Sequence, residues 1–275
     1  MARPYGRVME QTLLNLSPSS ASDFKSCPLK FKFRSIDNLP EPTSTAAARG
    51  SLVHAVLERL FAEGPQQRTP ERAEALLVAL WNEVRNAPEV RPSDLVESEE
   101  QAWLSASKSL LRNYFMLEDP RVLTASRLEW WVSYELADLH LRGVIDRVEE
   151  LNDGSWVLTD YKTGRVPGEM RETNAFFGLR FYALVCWRAF NVMPREIRLV
   201  YLADPSVLTL NPHEQMLLAF ERQMLALGKA IRRAGERDDW RPSPSPLCLW
   251  CSFQDLCPAW SPSQPGGNSG GTPAA

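Results

Sequence analysis

The spacing of apolar residues changes twice along the chain, from a helical period to alternation and back. Apolar residues recur at helical spacing from Ala46 to Ala62, and Gly64-Pro65 ends that helix. Amphipathic patterns predict further helices, at Pro70–Asn86, Pro92–Leu117, 173–190 and Pro212–Arg237. Alternating β-branched and aromatic residues predict strands, at 127–137, 139–151, 155–162 and Arg195–Leu202. The mixture of both patterns indicates an α/β protein.

The segments near both ends are predicted to be less regular. Residues 1–18 are expected to be an irregular lead-in, and a short helix should follow that ends by Ser26, because Pro28 disfavours helix at the residue before it. Pro242–Pro246 is interpreted as a rigid spacer. Residues 261–275 are rich in Pro, Gly, Ser and Ala, which predicts a disordered tail.

Composition excludes several classes of protein. With 275 residues, 44% of them hydrophobic and 24% charged, the chain has ordinary globular usage. Its net charge of −3 excludes a protein that coats nucleic acid through overall positive charge. It does not exclude nucleic-acid binding by a local group of basic residues. The sequence has no membrane-spanning stretch, and the polar segment Met1–Glu10 has no secretory signal, so a cytoplasmic protein is expected.

Two acidic residues are predicted to face each other across a β-hairpin. Asn152-Asp153-Gly154 is a strong turn signal between the strands at 139–151 and 155–162, with Gly154 expected at positive φ. Residues equally far from Asp153 then face each other, which places Asp146 directly opposite Asp160. Two carboxylates in that position repel each other. A divalent cation that prefers oxygen ligands, Mg²⁺ or Mn²⁺, would relieve the repulsion.

Lys162 is predicted on the same face of the strand as Asp160, because side chains alternate along a strand. An amine there is suited to orienting an attacking water or to stabilising charge on a phosphoryl oxygen. The residues alone leave a plainer interpretation open, since Asp and Lys on a hairpin also form ordinary ion pairs.

His54 lies on the predicted helix 46–62, four residues after Gly50. A glycine there leaves the helix surface bare, which suits the close approach of another element. A neutral imidazole binds transition metals and is acceptable to Mn²⁺. A histidine on an apolar helix is also a common core residue, so the pattern alone does not choose between the two.

Three of the five cysteines form a compact cluster, Cys248-x2-Cys251-x5-Cys257. Tetrahedral and cluster sites commonly use four ligands, and Cys27 or Cys186 is available as the fourth. Cys186 lies on an apolar helical face and is interpreted as a core residue. The spacing leaves zinc and an iron–sulfur cluster both open.

Five motifs occur together in one order along the chain. They are the Ser19–Pro28 region, Arg49-Gly-Ser-Leu-Val-His54, Gly143-Val-Ile-Asp146-Arg147, Asp160-Tyr-Lys162-Thr-Gly164 and the C-terminal cysteine cluster. Their joint presence resembles the RecB-like branch of the PD-(D/E)XK nuclease superfamily. The most similar group is the iron–sulfur-containing one, with the AddB nuclease domain and the CRISPR-associated RecB-like exonucleases. The resemblance covers Ser17 to Pro258.

The resemblance implies a fold. We expect a restriction-endonuclease-like α/β core with a central mixed β-sheet flanked by helices. A single nuclease domain would occupy residues 1–260, with a helical insertion at about 65–120. A metal cluster at the C-terminal cysteines would join the N- and C-terminal segments like a clasp.

The resemblance also implies a role for each matched residue. His54, Asp146 and Asp160 correspond to metal ligands, with the backbone carbonyl of Tyr161 as a further ligand, and Lys162 corresponds to the catalytic lysine. Four thiolates correspond to the ligands of a [4Fe–4S] cluster, namely those of Cys27, Cys248, Cys251 and Cys257.

The implied activity is that of a metal-dependent DNA nuclease, an exonuclease in repair, recombination or related processing. Its partners would be single-stranded DNA or duplex ends. The chain has no phosphate-binding helicase loop, so unwinding would come from a separate helicase or other repair proteins. DNA contacts are expected from local basic residues, namely Lys25, Lys30, Lys32, Arg34, Arg195 and Arg198.

One position departs from the family pattern. The family usually has a glutamine four residues before a tyrosine on the helix that follows the catalytic strand, where the pair helps to position the substrate. This chain has Tyr182, a candidate substrate-binding residue, but Gly178 occupies the glutamine position. The alternative is therefore a catalytically impaired, nuclease-like DNA-binding or scaffold protein.

Overall fold

A six-stranded mixed β-sheet forms the centre of the structure, a computed structural model that describes residues 13–87, 92, 95–166 and 175–260. The strand order is β1-β3-β4-β5-β6, and β2 pairs with β3. The pairs β1–β3 and β4–β5 are parallel and the others antiparallel. The strands are β1 Leu14–Leu16, β2 Arg127–Leu136, β3 Leu139–Glu150, β4 Trp156–Lys162, β5 Glu196–Tyr201 and β6 Ser206–Leu210. The expected α/β fold with a mixed sheet is confirmed.

Helices account for most of the remaining described residues. The α-helices are α1 Pro18–Ser26, α2 Pro28–Phe31, α3 Thr45–Ala62, α4 Pro70–Val84, α5 Glu100–Leu117, α6 Phe177–Phe190 and α7 Glu214–Arg237. A π-helical turn at Lys32–Ile36 follows α2, and short 3₁₀ helices occupy Pro65–Gln67, Glu97–Glu99, Pro246–Trp250 and Gln254–Leu256. In the described part of the chain, no helix is both long and apolar enough to span a bilayer.

A capping serine sets the start of α3, the helix that carries His54. The Ser44 hydroxyl accepts a hydrogen bond from the Ala47 amide at 3.2 Å, which satisfies one of the free amides at the start of α3. One face of α3 packs into an apolar cluster that also contains residues of α4, α5 and the sheet, among them Tyr161. This burial fixes the position of α3 against strand β4.

Several predicted boundaries differ from the structure. Residues 14–16 form strand β1 rather than an irregular lead-in, and they pair with the start of β3. The helix expected from Pro92 begins as α5 at Glu100, after a 3₁₀ turn. Strand β6 has no counterpart among the predicted strands, and the expected spacer ends in a 3₁₀ helix that begins at Pro246. Four predicted segments lie partly or wholly outside the described residues, at 1–12, 93–94, 173–174 and 261–275.

The register of the β3–β4 hairpin is as predicted. Arg147 pairs with Thr159, and the pairing continues through Val148–Leu158 towards the turn. The Leu151 amide donates to the Ser155 carbonyl at 2.8 Å, and Gly154 has a φ of 79°. This register puts Asp146 and Asp160 at facing positions, directly beyond the Arg147–Thr159 pair.

The chain divides into two compact units. One contains the residues up to Pro18 together with Pro42–Gly228, and the other contains Ser19–Glu41 and the residues from Lys229 onward. The first unit contains the whole β-sheet, and the second contains four of the five cysteines. The single domain over residues 1–260 stays a prediction.

On the face of β3 opposite to Asp146, Arg147 is fully buried among acidic and aromatic groups. Its guanidinium donates two hydrogen bonds to the Glu118 carboxylate, at 2.7 and 2.8 Å, and one to Glu149 at 2.9 Å. It also donates to the Tyr161 hydroxyl at 2.7 Å and lies over the Phe61 ring. Because Arg147 follows Asp146, this ion-pair network fixes the strand that carries the candidate site.

Replacing Arg147 by Met should strongly destabilise the protein. The variant leaves the Glu118 carboxylate buried without its cation and leaves Glu149 only the more distant Arg198. Losing one partner of a buried pair costs about 3–5 kcal/mol. Urea denaturation would measure the free energy of unfolding. The exposed pair Arg121–Asp119 provides the control, since Arg121→Ala should leave the free energy of unfolding almost unchanged. Equal, small effects of both variants would contradict a structural role for Arg147.

Candidate functional site

Five of the residues predicted to form a site converge where α3 packs against β3 and β4. His54 Nδ1 lies 3.5 Å from Asp146 Oδ2, and His54 Nε2 lies 3.0 Å from the Tyr161 carbonyl oxygen. The Tyr161 amide donates to Asp146 Oδ2 at 2.7 Å. Asp160 forms an ion pair with Lys162 on the same face of β4. The helix and the hairpin thus bring these groups together from three separate stretches of sequence.

The plainer interpretation of the Asp-x-Lys spacing is also realised, because Lys162 and Asp160 are bound to each other. Burial and the Asp146 charge raise the pKa of Asp160, while Lys162 acts in the opposite direction. Burial disfavours the charged form of Lys162, but the negative charges of Asp160 and Asp146 outweigh it and raise the Lys162 pKa. The lysine therefore keeps its charge beside two acids, and 42% of its side chain stays exposed.

A third acid, Glu129 on β2, lies at the same place. Its Oε1 atom is 4.0 Å from His54 Nδ1. Within the described ranges, the ligand atoms of His54, Glu129 and Asp146 form the one three-residue group with all separations within 4.8 Å. Burial and Asp146 raise the pKa of Glu129, and His54 partly offsets the effect.

The sequence contains a signal for Glu129, although this residue is not among the predicted site residues. Strands β2 and β3 are joined by the tight turn Ala137-Asp138, and residues equally far from this turn face each other. Leu128 pairs with Arg147 and Trp130 with Ile145, so Glu129 occupies the position opposite Asp146. Counting outward from the turn at Asp153 locates Asp160 on one side of Asp146. The same count from the turn at Ala137-Asp138 locates Glu129 on the other side.

The donor set suits a hard divalent cation. Carboxylate and carbonyl oxygens are the ligands that Mg²⁺ and Mn²⁺ prefer, and an imidazole nitrogen is acceptable to Mn²⁺. The perturbed pKa values of Asp160 and Glu129 in one place are also typical of a functional site. A cavity lined by Gly50, Ser51, His54, Glu58 and Glu129, with Ala55, opens beside this group.

Tyr182 covers strand β3 next to the site. A Cβ atom at Gly143 would lie 2.7 Å from the Tyr182 ring, so only glycine allows the ring to pack this closely. The Tyr182 hydroxyl hydrogen-bonds to the Val144 backbone, while burial and the charges of Asp160 and Asp146 raise its pKa. Tyr182 thus fixes the strand two residues before Asp146.

The basic residues expected to contact DNA are engaged in interactions within the protein. Lys30 pairs with Asp23 at 2.9 Å, and Lys32 with Asp37 at 2.7 Å. The same holds for Arg34 with Asp23 and Glu41, Arg195 with Asp153, and Arg198 with Glu196 and Glu149. Lys25 also has an interaction partner. DNA phosphates would have to compete with these partners.

Arg49 is a further basic residue, next in sequence to Gly50, which lines the cavity beside the site, and it is absent from the DNA contacts predicted from the sequence. Its Nε atom is buried without a hydrogen-bond partner among the described residues, and burial lowers the pKa of the guanidinium. The group lies over the Trp103 ring. A Cβ atom added to the neighbouring Gly50 would lie 3.4 Å from Thr163 Oγ1. Thr163 is the residue after Lys162, so this part of α3 lies close to the end of β4.

Four cysteines line one cavity of about 230 Å³ in the second unit, namely Cys27, Cys248, Cys251 and Cys257. The Ser243 and Ser245 amides lie 3.5 Å from Cys27 Sγ and 3.3 Å from Cys248 Sγ. Contact between the Phe33 and Phe253 rings, with centroids 5.4 Å apart, joins the two segments that supply the thiols.

Cys186 is separate in character from these four. It lies on α6 with no exposed surface, and burial raises the pKa of its thiol to about 12. Metal ligation requires the thiolate, which this environment disfavours. Its interpretation as a core residue is confirmed by its burial.

His54 should make the stability of the metal-free protein depend on pH. Burial lowers its pKa, but Asp146, Asp160 and Glu129 outweigh burial and raise it to about 9, from an unfolded value of 6.5. The resulting stabilisation is fully present below pH 6.5 and is lost as pH rises towards 9, by an amount on the order of 2–3 kcal/mol. Urea denaturation with EDTA across this range measures it.

The matched controls for this pH effect are two histidine variants. His54→Gln should lose the pH-dependent difference, and His213→Gln, at an exposed histidine, should retain it. If wild type and His54→Gln lose stability in parallel across the range, the three acids do not act on His54 as described.

Comparisons with known proteins identify the superfamily. The chain matches the family model of the PD-(D/E)XK nuclease superfamily over residues 15–258. No curated protein matches it significantly. Among solved structures, SSO0001 is similar at 14% identity, with a TM-score of 0.42 and coverage of 93% of this chain and 90% of that one.

A second similar structure is that of a protein from Eubacterium rectale named as an exonuclease. It is 11% identical, with a TM-score of 0.48 and coverage of 91% of this chain and 92% of that one. The family match spans most of the chain and contains every residue of the site described above. The chain belongs to the PD-(D/E)XK nuclease superfamily.

Proposed function

We propose that this chain is a divalent-metal-dependent deoxyribonuclease that hydrolyses phosphodiester bonds. The observation that carries the proposal is the convergence of His54, Asp146, Asp160 and Lys162 in a member of a nuclease superfamily. Members of this superfamily generally use Mg²⁺ or Mn²⁺, and a carboxylate group suited to such an ion is present. DNA is the substrate that the family implies.

The acids have the role of holding the cation. We assign His54, Asp146 and Asp160 as its ligands. The resemblance also implies the Tyr161 carbonyl, but this oxygen lies 3.0 Å from His54 Nε2, and the other ring nitrogen, Nδ1, is the one that faces Asp146. A bound Mg²⁺ or Mn²⁺ would supply Lewis acidity and neutralise charge on the scissile phosphate. Without a cation, the acids would repel the phosphate, so the same residues that bind metal make substrate binding depend on it.

Lys162 has the role of stabilising charge that develops during attack. Its exposed portion can reach a phosphate while Asp160 and Asp146 keep the amine protonated. A positioned cation that meets negative charge in the transition state is worth more in a poorly hydrated site than in water. Arg49 is our candidate for a contact to a neighbouring phosphate, because its guanidinium Nε is buried without a hydrogen-bond partner among the described residues.

The resemblance to RecB-like nucleases favours a narrower function within this class. We propose an exonuclease that acts on DNA ends during repair, recombination or related processing. A separate helicase would supply any unwinding. We place this activity in the cytoplasm.

Gly178 is the observation that favours the second candidate, a DNA-binding or scaffold protein with impaired catalysis. The family's glutamine is absent there, and a Cβ at that position would meet Pro18 only at ordinary contact distance, 3.7 Å. The glycine is therefore not required by packing. A scaffold would bind DNA but release no product when Mn²⁺ is added.

Lys162→Ala should abolish cleavage, with a loss of about 10²-fold or more, because the charge facing the phosphate disappears. The assay is digestion of end-labelled single- and double-stranded DNA with Mn²⁺, Mg²⁺ or EDTA. Lys108→Ala, which removes the α5 partner of an ion pair with Glu74, should cleave at the wild-type rate. Product from Lys162→Ala at the wild-type rate would rule out its assignment, and no product from wild type would favour the scaffold.

We further propose that Cys27, Cys248, Cys251 and Cys257 bind a [4Fe–4S] cluster. Supporting the proposal are their common cavity and the amides that approach two of the sulfurs, since such hydrogen bonds commonly accompany cluster thiolates. Binding would stabilise the second unit, because the cluster would connect its two segments. Zinc is the alternative that the same four thiols allow.

Anaerobically purified protein should contain iron and acid-labile sulfide. Cys248→Ser should lose most of both, because a cluster ligand is removed, whereas Cys186→Ser should retain them as the matched control. Metal analysis and visible absorbance provide the measurements. Colourless wild-type protein with zinc and no iron would select the alternative.

A further inference from the structure

We propose that Glu129 is an additional protein ligand of the divalent cation at the His54–Asp146 site. The proposal rests on the proposed function, since it takes that site to be the nuclease metal centre. Glu129 matches none of the motifs that identify the family in the sequence. The proposal comes from the position of the Glu129 carboxylate in the structure.

The sheet places three acids in a row on neighbouring strands. Glu129 on β2 faces Asp146 on β3, and Asp146 faces Asp160 on β4. The central acid therefore has a carboxylate on each side. Its neighbours differ, because Lys162 neutralises Asp160 whereas no lysine or arginine is described in an ion pair with Glu129.

The orientation of the imidazole points to a cation between Glu129 and Asp146. His54 Nε2 lies 3.0 Å from the Tyr161 carbonyl, which can only accept, so Nε2 carries a hydrogen. In the neutral ring Nδ1 then has a lone pair, directed towards Asp146 Oδ2 at 3.5 Å and Glu129 Oε1 at 4.0 Å. Three electron-pair donors thus converge on one small volume.

The separations among these donors suit one small ion. Ligands about 2.1 Å from an octahedral Mg²⁺ or Mn²⁺ lie roughly 3.0 Å apart when adjacent and roughly 4.2 Å apart when opposite. The two distances from Nδ1 fall between those limits. All separations in the group of three are within 4.8 Å, so small side-chain movements complete such a shell.

The backbone at Glu129 holds the carboxylate there at a cost. Its φ of 41° lies in the left-handed region, which is uncommon for a non-glycine residue in a strand. The register is the same on both sides of Glu129, so no residue has been inserted. Among the residues of β2, this conformation occurs at Glu129, whose side chain reaches His54.

The test measures Mn²⁺ binding to metal-free protein, by calorimetry or by the EPR signal of free Mn²⁺. Glu129→Gln keeps the size of the side chain but removes a charged ligand, and we expect its affinity to fall about tenfold or more. Glu135→Gln, at an exposed glutamate on the same strand, should bind like wild type. In the cleavage assay, Glu129→Gln should need correspondingly more Mn²⁺ for half-maximal rate.

Asp146→Asn separates failure of this inference from failure of the proposed function. If Asp146→Asn loses Mn²⁺ while Glu129→Gln binds like wild type, Glu129 is not a ligand, and the metal centre stands without it. If neither variant changes binding, the metal centre itself is wrong, and the inference falls with it. Should Glu129→Gln not fold by circular dichroism, Glu129→Asp decides, since it keeps the charge, withdraws the carboxylate and should bind more weakly than wild type.

Discussion

The repulsion between carboxylates on adjacent strands is the constraint on which the site depends. Glu129, Asp146 and Asp160 occupy facing positions on β2, β3 and β4, in a place where water screens them poorly. Like charges directly opposite each other destabilise a sheet, and burial strengthens the effect. The protein supplies one lysine and one histidine against three acids. A bound divalent cation would complete the balance, which is why the geometry favours metal chemistry over a simple surface hairpin.

The opposite face of the same strands carries a charge of the other sign. Arg147 alternates with Asp146 along β3, and its guanidinium is enclosed by Glu118, Glu149 and the Tyr161 hydroxyl. Burial opposes the charge of Arg147, but the surrounding acidic groups outweigh it and raise the arginine's pKa well above its ordinary value. Tyr161 therefore connects the two faces, since its side chain bonds to Arg147 and its backbone bonds to His54 and Asp146. The structural ion-pair network and the candidate metal centre therefore lie on opposite faces of the same two strands, β3 and β4.

Local sequence patterns predict those parts of the fold whose partners are near in sequence. They also predict the part of the site whose residues are set by a single turn. A single turn centred on Asp153 fixes every facing pair of the β3–β4 hairpin, so its register follows from the sequence. Leu14–Leu16 is too short for a recognisable pattern, and its partner at the start of β3 is remote in sequence. Apolar periodicity does not reveal the 3₁₀ turn at Glu97–Glu99, so α5 starts later than predicted. Partners that only folding brings together are equally hidden, as where Asp153 of the hairpin turn lies near Arg195.

The absence of the family's glutamine at position 178 does not by itself imply an inactive protein. In the family that residue works with the tyrosine four positions later, and here Tyr182 is fixed by other contacts. Its ring packs over Gly143, where any side chain would collide with it, and its hydroxyl bonds to the Val144 backbone. The tyrosine therefore keeps its place beside Asp146 without a glutamine on α6. Because the strand, the acids and Lys162 are positioned independently of residue 178, the geometry favours a catalytic site over a scaffold.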